Sequence, residues 1–160
     1  STYINADYQI YKFEFINIHP ATDDAFFQFN MSVDNGSNYN VTKTTTYFFA
    51  LHNEADTATS LAYETNYDLA QSTAYQNLGA VGNGADESVS GSMQLFNPSS
   101  TTYVKHFMTN TNRYYTSDYT INDVIAGYGN TTSAVNAINF KFSSGNIDAG
   151  TIKLYGLGAN

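Results

Sequence analysis

The side chains that could do acid–base or nucleophilic chemistry are few and scattered. His19, His52 and His106 lie far apart, each beside strand-like sequence. No Gly-x-Ser-x-Gly elbow is present, and the absence of Cys removes thiol nucleophiles, thiolate metal sites and disulfides together. A Ser–His–Asp triad is defined by geometry, and no spacing here singles one out. Glycoside hydrolysis needs two carboxylates about 5–9 Å apart. Glu14, Asp23, Asp24, Glu54, Asp56, Asp86, Glu87, Asp118 and Asp123 are available. Most sit in turn-like sequence, where Asp serves to cap backbone groups. They read as solvated loop acids, and the chain reads as a non-enzyme.

Metal chemistry is equally thin. There is no His-Glu-x-x-His and no close His pair, so zinc is not expected. Asp23-Asp24, Glu54 with Asp56, and Asp86-Glu87 offer loop oxygens to calcium, but none matches the twelve-residue helical calcium loop. No cofactor is expected, with a structural calcium on these loops held open. The four Asn-x-Ser/Thr triplets, at Asn30, Asn35, Asn40 and Asn130, are no more than this composition delivers by chance.

Tyrosine is the more informative residue, with 14 Tyr and no Trp. Tyr114, Tyr115 and Tyr119, with Tyr128 nearby, could form a contact surface for a glycan or a protein. Tyr63, Tyr67 and Tyr75 are a second such set. Tyr supplies flat contact area with a polar tip at low entropic cost. The competing reading places these rings in the core and its rim, and the lack of Trp weakens a dedicated sugar platform.

The elements that must position these residues follow from alternation. Phe27, Phe29, Met31 and Val33 alternate with polar residues, as do Val89, Gly91, Met93 and Leu95. Ile138-Phe140-Phe142 and Ile152-Leu154 continue the pattern. This period of two marks half-buried strands. Tyr11-Phe13-Phe15 alternates too, then the apolar face switches to Ile16 and Ile18, which predicts a bulge near Phe15. Thr44–His52, Thr102–Thr109 and Asn122–Tyr128 are further strand candidates. Asp56–Leu78 gives no clear pattern: short helical turns or an irregular excursion both fit, with a strand near Gln71–Asn77 one option. Asn-Gly, Asn-Pro and Ser-Ser-Gly-Asn segments punctuate the strands.

The chain has 160 residues and 17.6 kDa, with 42% hydrophobic, 16% aromatic and 12% charged residues. That size fits one domain over 1–160, able to bury a real core. About eight strand candidates with few helix signals and no convincing internal repeat predict an all-β fold, a single antiparallel β-sandwich of jelly-roll-like wiring in preference to an immunoglobulin-like one. Six Lys plus Arg against 14 Asp plus Glu give a net charge of -8. Binding a phosphate backbone needs clustered cations, so neither nucleic acid nor an anionic membrane is an expected partner. The longest apolar run, Tyr47-Phe48-Phe49-Ala50-Leu51, is far too short to span a bilayer. The opening Ser1-Thr2-Tyr3-Ile4-Asn5 lacks the features of a signal peptide, although a preceding region could have been removed.

One resemblance carries a functional expectation. The C-terminal run Ala137–Leu157 includes Ser143-Ser144-Gly145-Asn146-Ile147-Asp148-Ala149-Gly150-Thr151-Ile152-Lys153-Leu154-Tyr155-Gly156. It resembles the ending of virion structural proteins from marine tailed bacteriophages, including those of cyanobacteria. Leu157 stands where that group commonly has Ile, and Gly158-Ala159-Asn160 extends past its usual stop. Tyr11–Asp23, Ala50–Asp56, Leu95–Thr102 and Val104–Met108 are similar as well, in the same order along the chain. The resemblance implies a non-enzymatic sandwich on a phage particle, made in the bacterial host cytoplasm and exposed on the virion surface. A capsid decoration protein and a head or tail fibre are the two placements it implies. A carbohydrate-binding adhesin module is the alternative. The expected partners are other virion proteins, further copies of the chain as a homo-oligomer, and a host surface glycan. No catalytic residues come with this group.

Overall fold

The computed structural model describes residues 4–115 and 118–159. Among them are ten strands and no helix: β1 (Tyr8–Pro20), β2 (Ala25–Ser32), β3 (Lys43–Asn53), β4 (Thr59–Tyr63), β5 (Gln76–Val81), β6 (Val89–Phe96), β7 (Lys105–Tyr115), β8 (Tyr119–Gly129), β9 (Ala137–Phe142) and β10 (Ile147–Ala159). All pairings are antiparallel. A seven-stranded sheet runs β10-β1-β6-β7-β8-β3-β4, and a three-stranded sheet runs β5-β2-β9.

The inward sides of these strands meet as a layer of phenylalanines. Phe15 of β1 packs edge-on against Phe27 of β2, centroids 5.1 Å apart, and Phe29 of β2 against Phe107 of β7 at 4.9 Å. Phe13 reaches Phe140 of β9 at 5.1 Å. Each ring buried this way stabilises the fold by about 1.5–3 kcal/mol over its exposed state. The two sheets therefore form the expected all-β sandwich. The split is seven and three, where a jelly roll has eight strands in two Greek keys, so jelly-roll wiring does not follow from this order.

The face switch in β1 is a bulge. Pairing slips between Phe15 and Ile18 against β6, and between Ile16 and His19 against β10. Asn17 absorbs it at φ 49°, and Gly150 lies across it at φ 107°. A Cβ on Gly150 would collide with the Asn17 carbonyl oxygen, so the bulge requires glycine there. Inward burial passes from Phe13 and Phe15 to Ile18 as a result.

Two expected strands are displaced. The Thr102–Thr109 strand starts at Lys105. Ser100 Oγ accepts the amides of Thr102 and Tyr103 and holds residues 100–103 as a turn. The option at Gln71–Asn77 becomes an isolated bridge between Ser72 and Lys43, followed by β5 from Gln76. The unreadable Asp56–Leu78 segment also contains β4.

Candidate interaction surface

The seven-stranded sheet has one face covered by the small sheet, except at edge strand β10 where Ile152 and Leu154 stay exposed, and one open face. Along β7, Lys105, Phe107, Thr109, Thr111 and Arg113 are buried while His106, Met108, Asn110 and Asn112 are exposed. Cross-strand register extends the exposed set into rows. One row reads Thr46, Ala126, Met108, Gln94, Lys12 and Tyr155. The next reads Tyr63, Phe48, Val124, Asn110, Ser92, Glu14 and Lys153. Apolar side chains on this face stay in solvent: Met108 is 56% exposed, Tyr63 51% and Phe48 42%. Thr44, Thr46, Phe96, His106, Met108 and Tyr128 border a shallow depression of about 460 Å³. The His106 and Tyr128 rings meet there edge-on at 6.3 Å.

Behind this face lies a buried polar frame. Arg113 Nε donates to Asp123 Oδ2 at 2.7 Å, and the Tyr47 hydroxyl donates to Asp123 Oδ1 at 2.8 Å. Arg113 also donates to the Ala80 carbonyl at 2.8 Å, and the Thr111 hydroxyl to that of Leu78 at 2.8 Å. These bonds tie β7 of the large sheet to β5 of the small one. Burial pushes the Asp123 carboxyl up from its ordinary value, while the guanidinium and the Tyr47 hydroxyl pull the other way. Burial and the neighbouring carboxylate push the Tyr47 phenol up.

Two lysines are buried without a carboxylate. Lys43 Nζ donates to Asn30 Oδ1 at 2.6 Å and to the Val41 carbonyl at 2.8 Å. Lys105 Nζ donates to the carbonyls of Tyr103 at 2.6 Å and Thr131 at 3.2 Å. Desolvation lowers both amines, Lys43 to about 7. With Arg113 paired inside, the remaining cations are Lys12 and Lys153, beside Glu14 on the open face, and Lys141, over the Tyr75 ring.

The three singled-out tyrosines do not share one platform. Tyr115 and Tyr119 are opposite each other in the β7–β8 register, and Tyr114 pairs with Thr120 on the other side of the sheet. The Tyr114 hydroxyl donates to Asp118 at 2.7 Å, and the Tyr115 hydroxyl to Asp24 at 2.7 Å. Arg113 lies over the Tyr115 ring at 5.0 Å. Both phenols are pushed up to about 12, Tyr114 chiefly by its bond to Asp118 and Tyr115 chiefly by desolvation. Tyr63, Tyr67 and Tyr75 also separate. Tyr63 bonds Asp68, Tyr67 packs on Tyr47 and Phe26, and Tyr75 lies under Lys141. Of the tyrosine set, Tyr63, Tyr114 and Tyr128 lie on the side of the sheet that carries Phe48 and Met108, and Tyr128 borders the depression.

The loop acids mostly serve the backbone or single partners. Asp23 accepts the Asn83 amide, Glu87 the Gly84 amide, and Asp56 meets His52 at 3.0 Å. His19 pairs with Asp148 at 2.7 Å, and that bond raises its pKa. No group of three His, Asp or Glu converges among the described residues. The buried Arg113–Asp123 pair escaped the reading of the sequence, though Asp123 breaks the apolar alternation of Ile121 and Ile125. That break was the available signal.

No family model matches the chain, and neither a curated protein nor a solved structure matches it.

Proposed function

We propose that this chain is a structural protein on the surface of a tailed phage particle, serving as capsid decoration or as part of a fibre. The observation that carries this reading is the open face of the seven-stranded sheet. It is broad, exposes Phe48, Leu61, Tyr63, Met108, Tyr155 and Leu157, and carries Glu14 as the carboxylate of its central rows in a chain of net charge -8. A face of that character is suited to contact another protein. The likeness of the β9–β10 hairpin and several upstream blocks to marine phage virion proteins supports the same reading. Adding copies to a particle stabilises it by burial across subunit joints, and no bond-making chemistry is required of the chain. The test is peptide mass spectrometry of gradient-purified particles. Peptides of this chain at a fixed ratio to the capsid protein are expected, and their absence would contradict the reading.

The depression bordered by Phe96, His106 and Tyr128 favours a second reading, an adhesin module for host surface polysaccharide. Aromatic rings at such a site stack on sugar faces. Calorimetric titration with the host polysaccharide decides it. Saturable heat from the wild-type chain that disappears in Tyr128→Ala is its expected result.

A further inference from the structure

We infer that the open face of the seven-stranded sheet is the docking surface for a second copy of this chain, seated face to face about a two-fold axis. The inference deepens the virion reading by naming the partner of that face.

Three observations carry it. The first is continuity of apolar surface. Cross-strand pairs and diagonals connect Leu61, Phe48, Val124, Met108, Phe96, Ile10 and Leu157 from one edge of the sheet to the other. Leu61 is 76% exposed and Leu157 44%. Monomeric proteins rarely leave an apolar band this long in water.

The second is charge. Two molecules of net charge -8 repel through most of their surfaces. The paired rows on this face carry Lys12, Glu14 and Lys153, and Glu14 is already bonded to Lys12 at 3.0 Å. Asp123 is in the core, Asp148 pairs with His19 at the start of β10, Asp118 and Asp56 meet Tyr114 and His52 at one end of the face, and the other carboxylates lie in loops. The central rows of this face therefore carry little of the chain's negative charge, and an isologous contact places the same weakly charged surface on both sides.

The third is area. Seven strands at the usual spacing and four rows of outward residues span roughly 30 Å by 27 Å, about 800 Å². A stable protein interface buries about 800 Å² per partner. The face is large enough by itself.

Met108 provides a built-in reporter. Met31 and Met93 are fully buried, so peroxide reaches Met108 first. The experiment combines sedimentation equilibrium with peroxide oxidation of the wild-type chain at low and high concentration. The expected mass at high concentration is twice 17.6 kDa, with sulfoxide formation at Met108 slowed severalfold. The double variant Phe48→Lys with Met108→Lys alters two exposed side chains, and is expected to sediment as a monomer with an unchanged circular dichroism spectrum. A monomeric wild type overturns the inference, including one that binds polysaccharide through the face as a monomer. Self-association that leaves Met108 equally reactive overturns it too, and moves the contact to another surface such as the β10 edge. Wild-type oxidation decides the matter even if the double variant fails to fold. Particle composition is measured separately, so the virion reading and this inference fail independently.

Discussion

Lys43 and Lys105 stand in register with the same residue, Gly129, from opposite sides of β8. Their aliphatic stems help fill the end of the core, and their amines end on carbonyls and the Asn30 amide. A Cβ on Gly129 would come within 2.9 Å of Met31 Cε and 3.0 Å of Val41 Cγ1, so this end of the core is tightly filled. The arrangement satisfies hydrogen bonds but leaves two charges without counterions. Burial of an ammonium under those conditions costs stability.

Stability should therefore rise with pH on the alkaline side of neutrality. The Lys43 amine is lowered from 10.5 to about 7. Between those values the unfolded chain holds a proton that the folded chain has released, so stability rises with pH across that window. Below about pH 7 both states are charged and the full cost is present. Above about pH 10 the sign reverses, because Tyr114 and Tyr115, raised to about 12, ionise first in the unfolded chain. Lys43→Met removes the lysine contribution. Urea unfolding from pH 6 to 10 should show the stability difference between Lys43→Met and the wild type shift in favour of the wild type by about 4 kcal/mol as pH rises. A constant difference would contradict the assignment.

The Arg113–Asp123 pair should behave as a coupled unit. Removing one partner strands the other charge in the core, which costs about 3–5 kcal/mol. Asp123→Leu and Arg113→Met are each expected to lose about that much in urea unfolding. The double variant should lose clearly less than the sum, because neither charge is left alone. Additive losses would mean that the Ala80 carbonyl and the Tyr47 hydroxyl, rather than the pair, hold these groups.

The β1 bulge should depend on Gly150. Alanine there meets the Asn17 carbonyl and must adopt φ near 107°. Such strain costs on the order of 1–3 kcal/mol. Gly150→Ala is expected to lower the unfolding free energy by that amount, whereas Gly158→Ala, whose Cβ has no neighbour closer than 3.8 Å, should lose less. Equal losses would place the effect in backbone conformation, since Gly158 also has positive φ at 69°.

The strands that alternate cleanly were legible because one face of each meets the phenylalanine layer. Phe27 to Met31, Val89 to Leu95 and the face switch after Phe15 all follow that rule. β4 was not, because Thr59–Tyr63 is an edge strand with no buried face to pattern it. The outer end of β7 was obscured for another reason. Its inward residues there are Thr109, Thr111 and Arg113, which satisfy polar partners in β5 and β8. The open face was illegible as a unit. Leu61, Phe48, Met108 and Leu157 become neighbours only through the strand order, and period-two reading carries no information about which strands adjoin.

The central claim is display on a virion, and gold-labelled antibody on purified phage particles tests it most directly. Labelling of intact particles is expected, over the heads for a decoration protein or at the tail or its fibres for a fibre component. Particles that stay bare while the same antibody binds the isolated folded chain would contradict it.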